Sequence, residues 1–592
     1  MPSPETAIAN GNDRPPGAIV RAEPPSPLLF APVGRDTSPC DLLYEQPIGR
    51  IDVAAAREAL TFAFASGDGD VFTRLLAHTP TAPSLFFVED FGRDLQLDKF
   101  VERCLPVTTR GRRAAASSSY LLRVLSSPPR ERRHVEFRQR ICAELASSAP
   151  LVQRLEELYG RLCQFRDRIS RPSVGIQDGI ERRLGILGAA RAVVESLAND
   201  FAGTTSGLER LHHYGCSIAS TAGYRRACEL LEYEQKRAEL DLRVGVGFDG
   251  RIRSFQAIER RENRSNAFYS TSLGRLWTQL SLLVCGYRAS TGELLSRLVD
   301  GVFSDLEYHV LFFFQLIGDL EVYLATLGFR RMAEDAGLTV CLPELSDHGP
   351  RALSALFNPW LVADGRPCTP CDLELGEREH LVLITGPNSG GKTRLLQALC
   401  LCQLLGQSGL FVPAARAELR WSSGLFASLM EHTQVDQIEG RLGTELLRIR
   451  RVFERLRVGS MVVMDELCSG TNPSEGEALM RLVIEALFEL GPQAFITTHF
   501  LDFAAGLKAA SPQHRFLQAE LDAHEHPTYA FTDGVAETSL AHRVAERLGV
   551  TQKELRELAL RNIPELRAVA QPSRMPSQHL SRHTPLGPRR AE

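Results

Sequence analysis

One stretch, residues 380–404, restricts the possible folds of this chain more than any other. Leu381–Thr385 is a run of apolar residues that predicts a buried strand. Gly386–Thr393 then follows the pattern glycine, four residues, glycine, lysine and threonine, and leucines at helical spacing come next. Strand, glycine-rich loop and helix in this order are the context that a phosphate-binding loop requires. The stretch therefore predicts an α/β domain with an anion site at the start of a helix.

The chemistry of this loop assigns roles to its residues. Glycines let backbone N–H groups converge on phosphate oxygens without Cβ clashes, and the helix N-terminus adds partial positive charge. Lys392 is predicted to neutralise the β- and γ-phosphates of ATP, and the Thr393 hydroxyl to bind Mg²⁺. Lysine is rare here, with only five in the chain, so Lys392 stands out. The predicted nucleotide-binding residues are Gly386, Pro387, Asn388, Ser389, Gly390, Gly391, Lys392 and Thr393.

A second predicted strand ends in two carboxylates. Met461–Met464 is apolar and is followed by Asp465 and Glu466. Alone, this could be an ordinary strand that ends in an acidic loop. After a phosphate-binding loop it predicts a Walker B strand, in which Asp465 holds Mg²⁺ and Glu466 is the general base that polarises the attacking water.

A third apolar run ends in a histidine. Phe495–Phe500 predicts another buried strand, with His499 at its end. A histidine after a strand is often structural. With the other two elements present, we expect His499 to sense the γ-phosphate, and we count it with Lys392 and Glu466 as a catalytic residue.

Composition and periodicity divide the chain into five predicted parts. Residues 1–47 and 563–592 are rich in proline and polar residues and are predicted to be tails. Residues 48–108 form a small N-terminal segment, residues 109–342 an all-α region, and residues 343–562 the α/β domain with a parallel sheet. Leucines at helical spacing support the all-α prediction; they include Leu151, Leu155, Leu158 and Leu162.

Charge and cysteine usage narrow the function classes. The net charge is −4, so the molecule as a whole is not a basic nucleic-acid-binding surface, and any such contact needs a local patch. The thirteen cysteines are scattered, and the one tight pair, Cys368 and Cys371, lacks the second pair that a zinc site needs. The first residues lack the apolar stretch of a signal peptide, and no apolar run is long enough for a membrane span. We expect a cytoplasmic protein with reduced thiols and no membrane partner.

Together these motifs resemble the ABC-type ATPase domain of the MutS family of DNA mismatch-repair proteins. The resemblance rests on Asn388 within the loop, Leu410–Ala414 after its helix, Asp465–Glu466 followed by Gly470–Asn472, and Thr498–Phe500. The resemblance implies a multidomain protein in which a long all-α lever and clamp region precedes an α/β P-loop ATPase domain. It also implies ATP and Mg²⁺ as cofactors, a homodimer whose two sites each take a signature segment from the partner, and a clamp on double-stranded DNA in repair or recombination.

The sequence departs from the family pattern in two segments. The family's signature segment reads Ser-x-Phe-x-x-Glu, whereas the best match here is Gly440–Glu445, in which only Glu445 is kept. The family's mismatch-reading domain, with its Phe-x-Glu wedge, has no counterpart of sufficient length. Phe87-Val88-Glu89 matches the wedge in letters, but its apolar neighbours predict a strand or core.

Two arginine clusters are the predicted places for contact with phosphates of DNA. The first lies at residues 110–140, and the second comprises Arg251, Arg253, Arg260, Arg261 and Arg264. Interleaved acidic residues, Glu131, Glu136 and Glu259, favour solvated helix faces instead. Two further functions therefore stay open: a nucleotide-gated assembly factor that acts on ribosomes or on a protein partner, and a nucleotide-binding protein with weak turnover.

Overall fold

The computed structural model of the chain describes most of residues 40–562. The described residues are 40–51, 54, 56–58, 60, 83–114, 116–170, 176–235, 239–246, 252–261, 291–349, 351–377, 379–429, 440–468, 471–524, 526–537 and 548–562. They fall into two compact units. The first unit comprises Met1–Pro80 with Ser148–Leu320, and the second comprises Thr81–Ser147 with Glu321–Glu592.

The helices of the described residues are numbered in chain order. They are α1 (Leu97–Cys104), α2 (Ser118–Ser126), α3 (Arg132–Ser147), α4 (Ala149–Ser170), α5 (Ile176–Asp200), α6 (Glu209–Ala219), α7 (Ala222–Gln235), α8 (Thr291–Asp335), α9 (Pro359–Ala363), α10 (Lys392–Gln407), α11 (Gly440–Arg455), α12 (Pro473–Leu490), α13 (Leu501–Ala510) and α14 (Gln552–Asn562).

The strands are numbered in the same way. They are β1 (Thr108–Thr109), β2 (Arg112–Arg113), β3 (Glu239–Val246), β4 (Ile252–Arg261), β5 (Glu344–Ser346), β6 (Arg351–Leu356), β7 (Cys371–Leu375), β8 (Leu381–Thr385), β9 (Arg416–Arg420), β10 (Leu425–Ser428), β11 (Met461–Met464), β12 (Gln493–Thr497), β13 (Arg515–Leu521) and β14 (Pro527–Asp533).

The first unit is mainly helical, and α5 packs against α4, α6 and α7. The leucines that predicted α4 face its core, because Leu151, Leu155, Leu158 and Leu162 are all buried. The hairpin of β3 and β4 and the short pair of β1 and β2 are differences from the all-α prediction for residues 109–342. Alternating residues favour a strand over a helix there, since Leu240, Leu242, Val244 and Val246 recur with period two.

Residues 40–51 are folded into the first unit. Arg50 is buried between two carboxylates, with its Nη2 atom 3.1 Å from Asp41 and 2.5 Å from Asp319 on α8. Leu42 and Leu43 are completely buried beside this ion-pair cluster. Residues 40–47 of the predicted N-terminal tail are therefore part of the folded first unit, because buried partners hold them.

Helix α8 begins in the first unit and ends in the second. Among the described residues it is the one helix long and apolar enough to cross a membrane, over Leu306–Asp335, with a mean hydropathy of 1.6 in its most apolar window. That window is completely buried inside the protein. Packing against other parts of the chain therefore accounts for its apolar composition, as in the core helix of a globular protein.

The second unit contains a six-stranded sheet that positions the predicted site. Its strand order is β10-β11-β12-β8-β13-β14, and only β14 runs antiparallel to its neighbour. Every residue of β8, β11 and β12 is buried, as expected for inner strands of a parallel sheet covered on both faces. Because parallel strands end at the same edge, the loops after β8, β11 and β12 meet there.

A second, four-stranded sheet in the same unit has the order β5-β9-β6-β7. Arg351 on β6 is fully buried and connects this sheet to the larger one. Its Nη2 atom donates to Gln403 Oε1 on α10 at 2.7 Å, and its Nε atom donates to Gln493 Oε1 on β12 at 3.0 Å. The guanidinium also lies 5.7 Å from the ring centre of Phe495, and burial lowers its pKa to about 10.

Candidate nucleotide site

The glycine-rich loop lies tightly against β13. Gly386 has φ +136°, and a Cβ atom there would lie 2.7 Å from the Cβ of Ala519. A Cβ atom at Gly390 would lie 2.9 Å from the same methyl group. Gly391, with φ +86°, is the residue that caps the N-terminus of α10. A side chain at Gly386 or Gly390 would therefore push the loop off the strand, which explains why the close turn needs glycine.

Lys392 is the first residue of α10 and is 5% exposed. Its Nζ atom donates to the carbonyl oxygens of Gly386 at 2.8 Å and Pro387 at 3.0 Å. Burial lowers the pKa of this ammonium, while the nearby carboxylates of Glu466 and Asp465 act in the opposite direction. The loop thus curls around the lysine, and its charge lies at the N-terminus of α10.

Asp465 joins three elements at the edge of the sheet. Its Oδ2 atom accepts a hydrogen bond from the Thr393 hydroxyl at 2.5 Å, and its Oδ1 atom accepts one from the Thr497 hydroxyl at 2.5 Å. Thr497 ends β12, the strand between β11 and β8, so it fills the space between the carboxylate and the loop strand. A hydroxyl and a carboxylate placed together are oxygen ligands of the kind that Mg²⁺ prefers, so the pair Thr393 and Asp465 fits this ion.

Glu466 begins an unusual turn after β11. It has φ +48°, a conformation that is uncommon for a residue with a side chain. Its backbone N–H donates to the Thr497 hydroxyl at 2.8 Å. The same threonine therefore fixes both acidic residues of the predicted Walker B motif.

These residues surround one cavity of about 960 Å³. This volume lies within the usual range for small-molecule sites, roughly 300–1,000 Å³. The cavity is lined by the predicted residues Pro387–Thr393, Asp465 and Glu466. Gly386 is not among the lining residues, but its carbonyl oxygen accepts a hydrogen bond from Lys392, which is. Sequence reasoning missed other lining side chains, including Arg366, Arg448, Tyr529 and Phe531. A weak signal existed for Tyr529 and Phe531, which are separated by one residue, as side chains on one face of a strand are.

His499 lies apart from this group. It follows the end of β12, is half-buried, and its ring centre is 4.4 Å from that of Phe500. It is not among the residues that line the cavity. The structure therefore brings together the loop, Asp465 and Glu466, while the γ-phosphate-sensing role of His499 stays a prediction.

The predicted signature segment forms the beginning of α11. Gly440 is the first residue of this helix, and Thr444 and Glu445 line the cavity of their own chain. Glu445 Oε1 accepts a hydrogen bond from the backbone N–H of Cys468 at 2.5 Å. The one kept residue of the signature pattern thus contacts the turn that contains Glu466.

The prediction that Phe87–Glu89 is a strand or core is wrong. Val88–Asp90 is a single 3-10 turn without buried residues, and Phe87 is 41% exposed. The guanidinium groups of Arg455 and Arg457 lie 5.9 and 5.3 Å from the centre of the Phe87 ring. These partners are distant in sequence, so the local apolar pattern could not reveal them.

The first arginine cluster is divided among different environments. Arg132 and Arg133 form surface ion pairs with Glu136 and Glu131, which confirms solvated faces there. Arg138 is buried, and its Nη1 atom donates to the Ser408 carbonyl at 3.0 Å. In the second cluster, Arg253, Arg260 and Arg261 lie on strand β4 rather than on a helix. Arg251 and Arg264 lie outside the described residues.

Comparison with known proteins identifies the domain that carries the site. Residues 382–562 match the family model described as MutS domain V. Among curated proteins, the chain is 35% identical over 213 residues to "Endonuclease MutS2" of Thermomicrobium roseum, covering 35% of this chain and 26% of that protein. The protein of the same name from Thermus thermophilus is 37% identical over 185 residues, covering 31% and 24%. The one from Clostridium perfringens is 28% identical over 289 residues, covering 48% and 36%.

The matched part spans about a quarter of the length of the first two relatives. Residues 382–562, which match the MutS domain V model, contain the glycine-rich loop and the two acidic residues. The resemblance drawn from the motifs is therefore confirmed for this part of the chain.

Proposed function

We propose that this MutS-related chain binds ATP with Mg²⁺ and hydrolyses it. The observation that carries the proposal is the convergence of Lys392, Thr393, Asp465 and Glu466 around one cavity at the carboxyl edge of a parallel sheet. Lys392 and the loop N–H groups bind the phosphates, and Thr393 and Asp465 hold the metal ion. Mg²⁺ supplies charge neutralisation for the transferred phosphoryl group. Glu466 accepts a proton from the attacking water.

We further propose that two copies of the chain act together on double-stranded DNA in repair or recombination. This part is supported by the family resemblance and by the relatives, and the DNA contact is proposed to follow backbone charge. We assign His499 to γ-phosphate sensing in the same scheme. One alternative is an assembly role on ribosomes or on a protein partner. A second is a nucleotide-binding protein with weak turnover, which the loss of the signature serine favours.

One experiment separates these functions. ATP hydrolysis by the purified chain is measured alone and with matched, mismatched and branched DNA, and in parallel with ribosomes. We expect stimulation by DNA and binding that weakens steeply with salt, as for contacts to phosphates. Stimulation by ribosomes without any effect of DNA would support the assembly role, and ATP binding without phosphate release would support weak turnover.

We expect no mismatch preference from the Phe87 segment. A mismatch wedge must insert its ring into a base step, and unstacking costs a few kcal/mol. The Phe87 ring is engaged by Arg455 and Arg457, and Asp90 pairs with Arg455 at 2.8 Å. Phe87→Ala is expected to lower the free energy of unfolding by about 1 kcal/mol, typical of exposed cation–π contacts, and to leave the ratio of affinities for mismatched and matched DNA unchanged.

A competition titration at fixed salt between a matched and a G·T-containing duplex checks this expectation, with Phe503→Leu as a control at another cation–π contact, that with Arg481. A wild-type preference above about tenfold, or about 1.4 kcal/mol, that disappears in Phe87→Ala would show that Phe87 reads mismatches.

A further inference from the structure

The turn after β11 holds two residues in a conformation that side chains disfavour. Glu466 has φ +48° and Cys468 has φ +58°, and neither is a glycine. Such residues persist only where surrounding contacts fix them, and they concentrate at functional sites. Since Glu466 is the proposed general base, the contacts that hold this turn also determine the direction of its carboxylate.

Two side chains hold the turn from opposite ends. At its start, the Thr497 hydroxyl accepts a hydrogen bond from the Glu466 N–H at 2.8 Å. At its end, Glu445 Oε1 accepts one from the Cys468 N–H at 2.5 Å. A hydrogen bond from a backbone N–H to a carboxylate is short and stronger than one between neutral groups.

The other side of Cys468 leaves it little freedom to move. Its side chain is completely buried, and a Cβ atom at Gly476 on α12 would lie 2.7 Å from its carbonyl oxygen. The carbonyl is therefore packed against a helix, while the N–H points to Glu445. Burial and the Glu445 charge raise the pKa of the Cys468 thiol to about 12, in line with a carboxylate close to the turn.

We propose that Glu445 is a positioning residue for ATP hydrolysis within its own chain. Its carboxylate fixes the left-handed turn at Cys468 and thereby aims Glu466 into the cavity. The inference rests on the proposed function and deepens it, because it gives the kept residue of the signature segment a task that requires no contact with nucleotide. The Glu445 hydrogen bond also connects α11 to the Glu466 turn, so that a movement of this helix changes the direction of the Glu466 carboxylate.

The test compares three variants of α11 by steady-state hydrolysis and by affinity for a fluorescent ATP analogue. Glu445→Ala is expected to lower kcat at least tenfold and to change the nucleotide Kd less than twofold, since the loop residues are untouched. Glu445→Gln keeps an oxygen acceptor and is expected to stay within about threefold of the wild-type kcat. Glu454→Ala is the matched control, because Glu454 lies on the same helix and pairs only with Arg450 on the surface in the described contacts.

A measurement that needs no turnover accompanies the kinetics. Hydrogen exchange of the Cys468 amide is expected to accelerate at least tenfold in Glu445→Ala and to stay near the wild-type rate in Glu445→Gln. If Glu445→Ala does not fold, Glu445→Asp takes its place, because its carboxylate is withdrawn by one methylene from the amide.

The outcomes separate this inference from the proposed function. Unchanged kcat and unchanged exchange in Glu445→Ala would overturn the positioning role while leaving ATP hydrolysis intact. A Glu445→Gln variant as slow as Glu445→Ala would overturn it too, since the acceptor alone would then not suffice. A wild-type chain without any ATP hydrolysis would remove the proposed function together with this inference.

Discussion

Lys392→Ala is expected to abolish nucleotide binding and turnover together. The ammonium is buried inside the loop and lies within 3.0 Å of two of its carbonyl oxygens, so its loss takes this positive charge out of the loop. Hydrogen bonds to charged groups contribute about 1.5–3 kcal/mol each, which corresponds to roughly ten- to a hundredfold in affinity for each bond lost. Loss of such stabilisation of developing charge lowers kcat by about 10²–10³-fold.

The measurement is the affinity for a fluorescent ATP analogue together with phosphate release. Lys508→Ala is the control, because Lys508 is exposed on α13 and does not line the cavity. The melting temperature of both variants shows whether the fold is kept. Undiminished hydrolysis by Lys392→Ala would contradict the assignment of the glycine-rich loop.

Glu466→Gln is expected to separate binding from hydrolysis. Glutamine keeps the size of the side chain and the backbone hydrogen bond to Thr497, but it cannot accept the proton of the attacking water. General base catalysis contributes about 10²–10⁴-fold, so kcat should fall by this factor while ATP affinity stays near the wild-type value. ATP should then accumulate a dimer of the two copies that are proposed to act together.

Single-turnover hydrolysis and sedimentation with and without ATP measure the two effects. Glu489→Gln on the exposed face of α12 is the control for the loss of one carboxylate. Loss of ATP binding in Glu466→Gln would mean that Glu466, and not Asp465 alone, holds the metal ion.

The nucleotide site could be predicted from sequence to the extent that it is encoded in short local patterns. The loop residues Gly386–Thr393 and the acidic pair at 465–466 each follow an apolar strand, and this order is visible in the letters. Thr497 escaped prediction because its role depends on strand order: β12 lies between β11 and β8, and no local pattern gives that order. The same limit applies to Arg448, which comes to the cavity from α11.

Two differences have distinct physical causes. Phe87 follows an apolar run, but its partners Arg455 and Arg457 lie far along the chain, so a residue that looked like core is held at the surface. Strand β3 did carry a local signal, an alternation of apolar and polar residues from Glu239 to Val246. The helical spacing of apolar residues in the flanking segments favoured a helix there, although the period of two in this segment correctly indicated a strand.

The buried guanidinium of Arg351 has a consequence for how the second unit unfolds. If one sheet opened, the buried guanidinium that bridges the two sheets would lose its hydrogen bonds to Gln403 and Gln493 in an apolar interior. Partial opening of the small sheet therefore costs about 1–3 kcal/mol or more for the polar group left without partners. The two sheets should therefore unfold in one cooperative transition. The cavity would then be lost on heating only when the entire domain unfolds.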